Sequence, residues 1–282
     1  MAHGKLDMGK AWTQATGLIG SNRDTIGAIA GLFFFLPAFA LALFAPELVN
    51  PQPAAPAGAD PQVAMQAALD QMSKAYTDNW ALFLGLTIAQ FVGSLSLLAL
   101  LTDRGRPTVG EALRTGIQSI LTYLAAQLLS ALAVGLAVGI PLGIVAAAGS
   151  PVAVVLVGLV LVLVAVYLFV KFSLIAPVIA IDGVRNPITA LSQSWRLTKG
   201  NSFRIVAFML LLFFTIGIIA ALVSGIFGLI FSALGAPIAD IGTGLVSAIV
   251  NTFIGVIFLV VIAAVHRQLA GQSPEGLAQT FE

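Results

Sequence analysis

Six long apolar stretches constrain the fold of this chain more than any other feature. A transmembrane helix needs about 20 mostly apolar residues, because the hydrocarbon core of a bilayer is about 30 Å thick. Charged residues make up only 9% of the chain, whereas soluble domains carry about 25%. The sequence therefore predicts an all-α, polytopic membrane protein that forms one membrane domain over residues 1–282. The six predicted transmembrane helices cover about Thr25–Leu48, Trp80–Leu101, Ile117–Leu142, Pro151–Ala176, Phe203–Ile230 and Gly242–Val265.

The basic residues between these stretches predict the orientation of the chain. Twelve of its thirteen lysines and arginines fall on one predicted side, and only Lys74 falls on the other. Cytoplasmic connections carry an excess of Lys and Arg, so we expect both termini in the cytoplasm of a bacterial inner membrane. The twelve residues are Lys5, Lys10, Arg23, Arg104, Arg106, Arg114, Lys171, Arg185, Arg196, Lys199, Arg204 and Arg267.

The longest external segment is then the outer loop over 49–79. It opens with a stretch rich in proline and alanine, Pro51–Pro61. Asp60 is a good N-cap residue and Pro61 suits the first helical position, so a short amphipathic helix is predicted on the outer membrane face or on the protein. A mobile loop is the alternative. The apolar side chains at helical spacing are Met65, Ala68, Leu69, Met72 and Tyr76.

Three segments on the predicted cytoplasmic side share a pattern of residue types. Each has an N-cap residue, an alanine four positions later, then a large apolar residue, and a small residue three positions further on. We interpret the chain as three repeats, each an interfacial helix plus a transmembrane hairpin, over about 7–101, 108–180 and 186–265, with a tail over 266–282. Chance recurrence of amphipathic segments is the alternative. The matched sets are Asp7, Ala11, Trp12 and Ala15; Thr108, Ala112, Leu113 and Gly116; and Asn186, Ala190, Leu191 and Ser194.

The three interfacial helices are predicted over Asp7–Ile19, Thr108–Gly116 and Asn186–Lys199. Tryptophan and basic residues prefer the headgroup region of a bilayer. Candidate lipid contacts are therefore Trp12, Trp195, Arg196 and Lys199, and the expected main partner is the lipid bilayer. A membrane protein partner or a second copy of the chain are open alternatives.

The third segment carries the most specific motif, Ala-Leu-x-x-Ser-Trp-x-Leu-x-x-Gly before an apolar span. It resembles the membrane domain of glycerophosphoryl diester phosphodiesterases and the related YciC-type integral membrane proteins of bacteria. In such families hydrolysis belongs to a separate soluble barrel, for which the residues after Val265 are too few. The resemblance therefore implies a role in the membrane or envelope without hydrolysis. The matching residues are Ala190, Leu191, Ser194, Trp195, Leu197 and Gly200.

Few side chains in the sequence suit chemistry. There are no cysteines and only two histidines, His3 and His266, neither with an acidic residue at ligand spacing. No catalytic residue, metal site or cofactor is predicted, and nucleic-acid binding lacks a basic patch interleaved with aromatics. His266 is interpreted as an ordinary interfacial residue and Lys171 as a lysine that snorkels toward the cytoplasm. Asp182 with Gly183 is interpreted as a turn.

Three amides fall within the predicted spans: Gln90, Gln127 and Asn251. An amide in hydrocarbon lacks hydrogen-bond partners, so each should face the interior of the bundle. They would join helices together, or line a cavity for a lipid headgroup or small solute. Small residues spaced by four also predict close helix packing, at Gly27 and Gly31, at Gly135, Gly139 and Gly143, and at Gly217, Ala221 and Gly225.

The leading functional hypothesis is a non-enzymatic, multi-pass inner-membrane protein that acts in envelope organisation through contact with lipid or a partner. The alternative is a transporter or lipid-handling permease with an amide-lined interior. A membrane enzyme is the weakest hypothesis, because no nucleophile with its base and no metal ligand set is visible in the sequence.

Overall fold

The computed structural model describes residues 5–49, 56, 58–102 and 107–271. It is 87% helical, and the described residues form no strand. Six helical stretches in this part of the chain are long and apolar enough to cross a bilayer. The predicted all-α fold with six transmembrane helices is therefore confirmed. The stretches are Arg23–Phe44, Trp80–Leu100, Val109–Ala147, Pro151–Ala180, Ser202–Ser232 and Ile238–Leu269.

The described helices are numbered in chain order. They are α1 (Met8–Ser21), α2 (Arg23–Ala30), α3 (Leu36–Phe44), α4 (Pro46–Val49), α5 (Pro61–Asp78), α6 (Trp80–Leu100), α7 (Val109–Val134), α8 (Ile140–Ala147), α9 (Pro151–Phe172), α10 (Ile175–Ala180), α11 (Pro187–Leu197), α12 (Ser202–Ser232) and α13 (Ala236–Leu269).

Two π-helical turns interrupt the first and third spans, at Gly31–Phe35 and Gly135–Gly139. Pro37 and Pro141 each lie two residues after the last residue of these turns. Proline has no backbone N–H and its ring clashes with the carbonyl four residues earlier. A wider turn at this point accommodates the proline without ending the helix.

The predicted N-cap residues begin their helices. The side chain of Asp7 accepts a hydrogen bond from the N–H of Lys10, and that of Asp60 accepts one from the N–H of Gln62. Thr108 forms the predicted capping box with Glu111. The segment predicted to lie outside therefore contains a helix, α5, over Pro61–Asp78.

The second predicted interfacial helix, Thr108–Gly116, is not a separate element. α7 continues without a break from Val109 to Val134. No proline or left-handed glycine follows Gly116 to end the helix, so the lead-in and the span join. By contrast, Asn22 separates α1 from α2, and Gly200, with φ of 82°, lies between α11 and α12. The arrangement in three repeats remains a prediction.

The chain divides into two compact units. Among the described residues, the first comprises 5–26, 94–102, 107–215 and 257–271, and the second comprises 27–49, 56, 58–93 and 216–256. In the first unit the buried apolar residues concentrate over 95–101, 174–181 and 260–265. All the contacts described in the next section lie within this first unit.

Close glycine packing in the second unit occurs at positions that the spacing by four did not predict. A Cβ at Gly93 would overlap Phe33, and one at Gly242 would meet the ring of Phe231 at 2.5 Å. At the glycines with that spacing, from Gly27 to Gly225, an added Cβ would meet no atom within 4 Å beyond its own stretch of helix. Within each helix, spacing by four places the small residues on one face. No described neighbour comes within 4 Å of a Cβ added at these glycines.

Candidate functional site

The junction of α9 and α11 is organised by a buried serine. Ser194 is fully buried; its Oγ donates to the carbonyl of Lys171 at 2.7 Å and accepts from the N–H of Leu174 at 3.2 Å. The backbone groups at a helix end lack partners within the helix, and this hydroxyl satisfies two of them. Ala190, one turn earlier and also fully buried, leaves room for the two helices to approach.

Lys171, in the last turn of α9, is not exposed as a snorkelling lysine would be. Only 3% of the residue is accessible. Its Nζ lies 5.3 Å from the ring centroid of Tyr167 and 5.4 Å from that of Trp195, both within range of a cation–π interaction. Lys171 forms no ion pair with any described residue. The prediction of snorkelling was wrong because α11 folds over this end of α9.

Trp195 forms the cover of this lysine. Its ring packs edge-on against Tyr167 at 5.8 Å and tilted against Phe172 at 5.9 Å. The tryptophan remains 38% exposed, and Arg196 and Lys199 beside it are exposed as well. Their predicted contact with lipid headgroups stays a prediction.

A second buried polar cluster joins α11 to α13. Nε2 of His266 lies 3.0 Å from Oδ2 of Asp182, and the same oxygen accepts from Nε2 of Gln193 at 2.8 Å. The His266 side chain is fully buried. The interpretation of His266 as an ordinary interfacial residue without an acidic partner was wrong. Asp182 precedes a turn, as predicted, since Gly183 has φ of 73°.

The segment before α1 is held through its backbone. Asn201 Oδ1 accepts from the N–H of Leu6 at 2.9 Å, and Arg204 donates to the carbonyl of Leu6 at 3.1 Å. The side chain of Gln268 bonds both the N–H and the carbonyl of Asp7. Trp12, on the following helix, is 44% exposed, which suits the predicted contact with lipid without testing it.

A large apolar groove lies between α7, α9 and α12. Its volume is about 1030 Å³, just above the roughly 300–1,000 Å³ of ligand pockets. Three polar side chains of α7 are hydrogen-bonded in its wall: Gln127 donates to the hydroxyl of Tyr123 at 3.1 Å, and Ser130 donates to the backbone carbonyl of Gln127 at 2.9 Å. Ser173 also lines the groove, and its hydroxyl donates to the carbonyl of Val170. The apolar lining includes Ala131, Val134, Ala165, Val166, Phe169, Ile205, Met209, Phe258 and Ile262.

The three predicted intrabundle amides do not share one environment. Gln127 is half-buried and lines the groove. Gln90 and Asn251 are exposed, so the described helices do not enclose them as expected. Both lie in the second unit, and neither is among the residues that line the groove. Whether a side chain is enclosed depends on which face of its helix it occupies. A position near the middle of a span does not determine that face.

A smaller cavity of about 580 Å³ lies where α1 meets α2. Ser21, Asn22 and Thr25 contribute to its lining, together with Arg23 and Asp24, which form an exposed ion pair at 3.7 Å. An exposed pair of this kind contributes little to stability. The polar lining distinguishes this cavity from the groove and does not suit an acyl chain.

These features define a polytopic α-helical membrane protein whose buried polar side chains tie helix ends together. The described residues contain no group of three or more His, Cys, Asp or Glu side chains that could hold a metal ion.

Residues 137–270 match the family described as the membrane domain of glycerophosphoryl diester phosphodiesterase. The match includes the whole motif from Ala190 to Gly200 and extends from the π-helical turn before α8 to the end of α13, so the predicted resemblance to this domain is confirmed. The matched domain is the membrane part of that family and not its catalytic part. No curated protein and no solved structure matches the chain.

Proposed function

We propose that this protein is a non-enzymatic component of the bacterial inner membrane that binds membrane lipid and contributes to envelope organisation. The observation that carries the proposal is the groove between α7, α9 and α12. Its size and apolar lining suit an acyl chain, and it lies among helices that are long and apolar enough to cross a bilayer.

The polar group in the groove wall supports a bound lipid rather than an empty contact between helices. Gln127 uses one amide N–H on Tyr123, and its Oε1 accepts from Ser130 at 3.4 Å, while a carboxamide has two N–H donors and two acceptor lone pairs. The remaining capacity can bind an ester or hydroxyl of a lipid. In hydrocarbon such groups have few other partners.

The orientation with cytoplasmic termini is part of the proposal and rests on the distribution of basic residues. The alternative of a transporter rested on a shared path through Gln90, Gln127 and Asn251. The exposed positions of Gln90 and Asn251 do not support that path.

Filling the groove tests the proposal. Ala165 lines the groove, and Leu163, two residues earlier on α9, is 70% exposed and does not line it. We expect native mass spectrometry to detect a phospholipid on the purified protein. Ala165→Trp should remove it, because the added indole occupies the acyl-chain space. Leu163→Trp adds the same side chain to the same helix and should retain the lipid. Equal retention by both variants would contradict the proposal.

A further inference from the structure

We propose that the α9–α11 junction is a binding site for a phosphate anion, with Lys171 as its central cation. The junction comprises Tyr167, Lys171, Trp195 and Lys199. This site is separate from the groove, because neither Tyr167 nor Lys171 lines the groove.

The first step is the charge of Lys171. Burial of an ammonium group is costly unless an anion or hydrogen-bond acceptors compensate it. Lys171 is 3% exposed and forms no ion pair with a described residue. The carboxylate in the connection between α10 and α11, Asp182, is engaged by Gln193 and His266. The chain therefore supplies Lys171 with aromatic faces instead of a counter-ion.

The second step is the sign of the surroundings. Lys199 lies close enough to Lys171 to interact with it electrostatically. Lys199 lies in the turn that follows α11 and is exposed. Two basic residues, Lys171 and Lys199, are therefore close together with no carboxylate between them among the described ion pairs, which favours an anion.

The third step is access. The cover over Lys171 is made of two rings that are themselves partly exposed, Trp195 at 38% and Tyr167 at 45%. A movement of the indole exchanges the cation–π contact for a direct contact between the ammonium and an anion. Lysine is a common phosphate ligand that acts as a point charge. Phosphate is the chemistry that a lipid headgroup and a free phosphate share.

The experiment uses the cover as its reporter. The chain has three tryptophans, so Trp12→Phe with Trp80→Phe leaves Trp195 as the only indole. The full chain in detergent is titrated with dihexanoyl phosphatidylglycerol, with inorganic phosphate and with dihexanoyl glycerol, which lacks phosphate. We expect a saturable change in Trp195 emission with a phosphate probe and none with dihexanoyl glycerol. Saturation by inorganic phosphate identifies free phosphate as sufficient, and a response to the phospholipid alone identifies the headgroup.

Variants then test the cation. Lys171→Met should weaken the response about tenfold or more, corresponding to at least about 1.4 kcal/mol, whereas Lys171→Arg should retain it. Lys74→Met removes an exposed lysine from α5 and is the matched control. Should Lys171→Met fail to fold, Lys199→Met decides, since replacing this exposed lysine should also weaken binding.

An unchanged affinity in the folded variant, an equal response to dihexanoyl glycerol, or no response to either phosphate probe would overturn the proposal. If Ala165→Trp loses the groove lipid but binds phosphate normally, the groove and the α9–α11 junction bind their ligands independently.

Discussion

At the scale of residues, buried polar side chains explain how the helix ends are fixed. His266 gives the sharpest case, because its Nδ1 has no hydrogen-bond partner among the described residues. The contact of Nε2 with Asp182, at 3.0 Å, is therefore the polar contact that holds this buried ring. Asp182 and His266 are 84 positions apart, so no local pattern in the sequence could have paired them.

The pair predicts the effect of removing the carboxylate. Asp182→Ala takes the shared acceptor from both His266 and Gln193. We expect the free energy of unfolding in detergent to fall by about 1–3 kcal/mol, the usual cost of leaving a buried polar group unsatisfied. Denaturant unfolding followed by circular dichroism measures it. Asp240→Ala, at an exposed aspartate, should change it by less than about 0.5 kcal/mol. Equal effects of the two substitutions would show that the buried pair adds no stability.

At the scale of elements, the motif in α11 has a physical reason at most of its positions. Ala190 leaves room for α9, and Ser194 forms a hydrogen bond to its end. Trp195 covers Lys171 and Leu197 is buried. Gly200, just after the helix, adopts the left-handed conformation. The helix start at Asn186 was predictable because capping depends on neighbouring residues. The contact with Lys171 was not predictable, because it depends on how two helices separated in sequence pack.

Close packing of α6 gives a prediction with an internal control. A Cβ at Gly93 would overlap Phe33, whereas a Cβ at Gly85 on the same helix meets nothing within 4 Å. We expect Gly93→Ala to destabilise the protein by about 1–3 kcal/mol through overpacking. Gly85→Ala should leave stability unchanged or raise it by up to about 1 kcal/mol, since alanine favours the helix. Thermal unfolding in detergent distinguishes them. A stable Gly93→Ala protein would mean that Phe33 moves aside without cost.

At the scale of the whole molecule, the sequence predicted the fold class and the number of spans because hydropathy and span length are properties of single segments. Segment Thr25–Leu48 was predicted and Arg23–Phe44 observed, so the error is a few residues at each end. The groove and the two buried clusters could not be predicted, since they arise from side chains on several helices. The sequence analysis ended the second interfacial helix at Gly116 although no proline or left-handed glycine stands there. It therefore missed that Thr108–Gly116 continues into the following span.

The predicted orientation can be tested with reporter fusions. The asymmetry of twelve basic residues against one predicts that a fusion after Gly58 reports a periplasmic location and a fusion at Glu282 a cytoplasmic one. Alkaline phosphatase and green fluorescent protein fusions give opposite signals on the two sides. A cytoplasmic signal after Gly58, or a periplasmic one at Glu282, would contradict the orientation.

Lipid binding in the groove is tested most directly by mapping where a photoreactive lipid attaches. A phospholipid with a diazirine on its acyl chain is reconstituted with the protein in nanodiscs, irradiated, and located by peptide mass spectrometry. Bound lipid predicts adducts concentrated on groove residues such as Val166, Phe169 and Met209, well above those on the equally apolar exposed positions Leu159 and Leu163, and lost in Ala165→Trp. Adducts spread evenly over all exposed apolar positions, unchanged in Ala165→Trp, would show that the groove holds no lipid of its own.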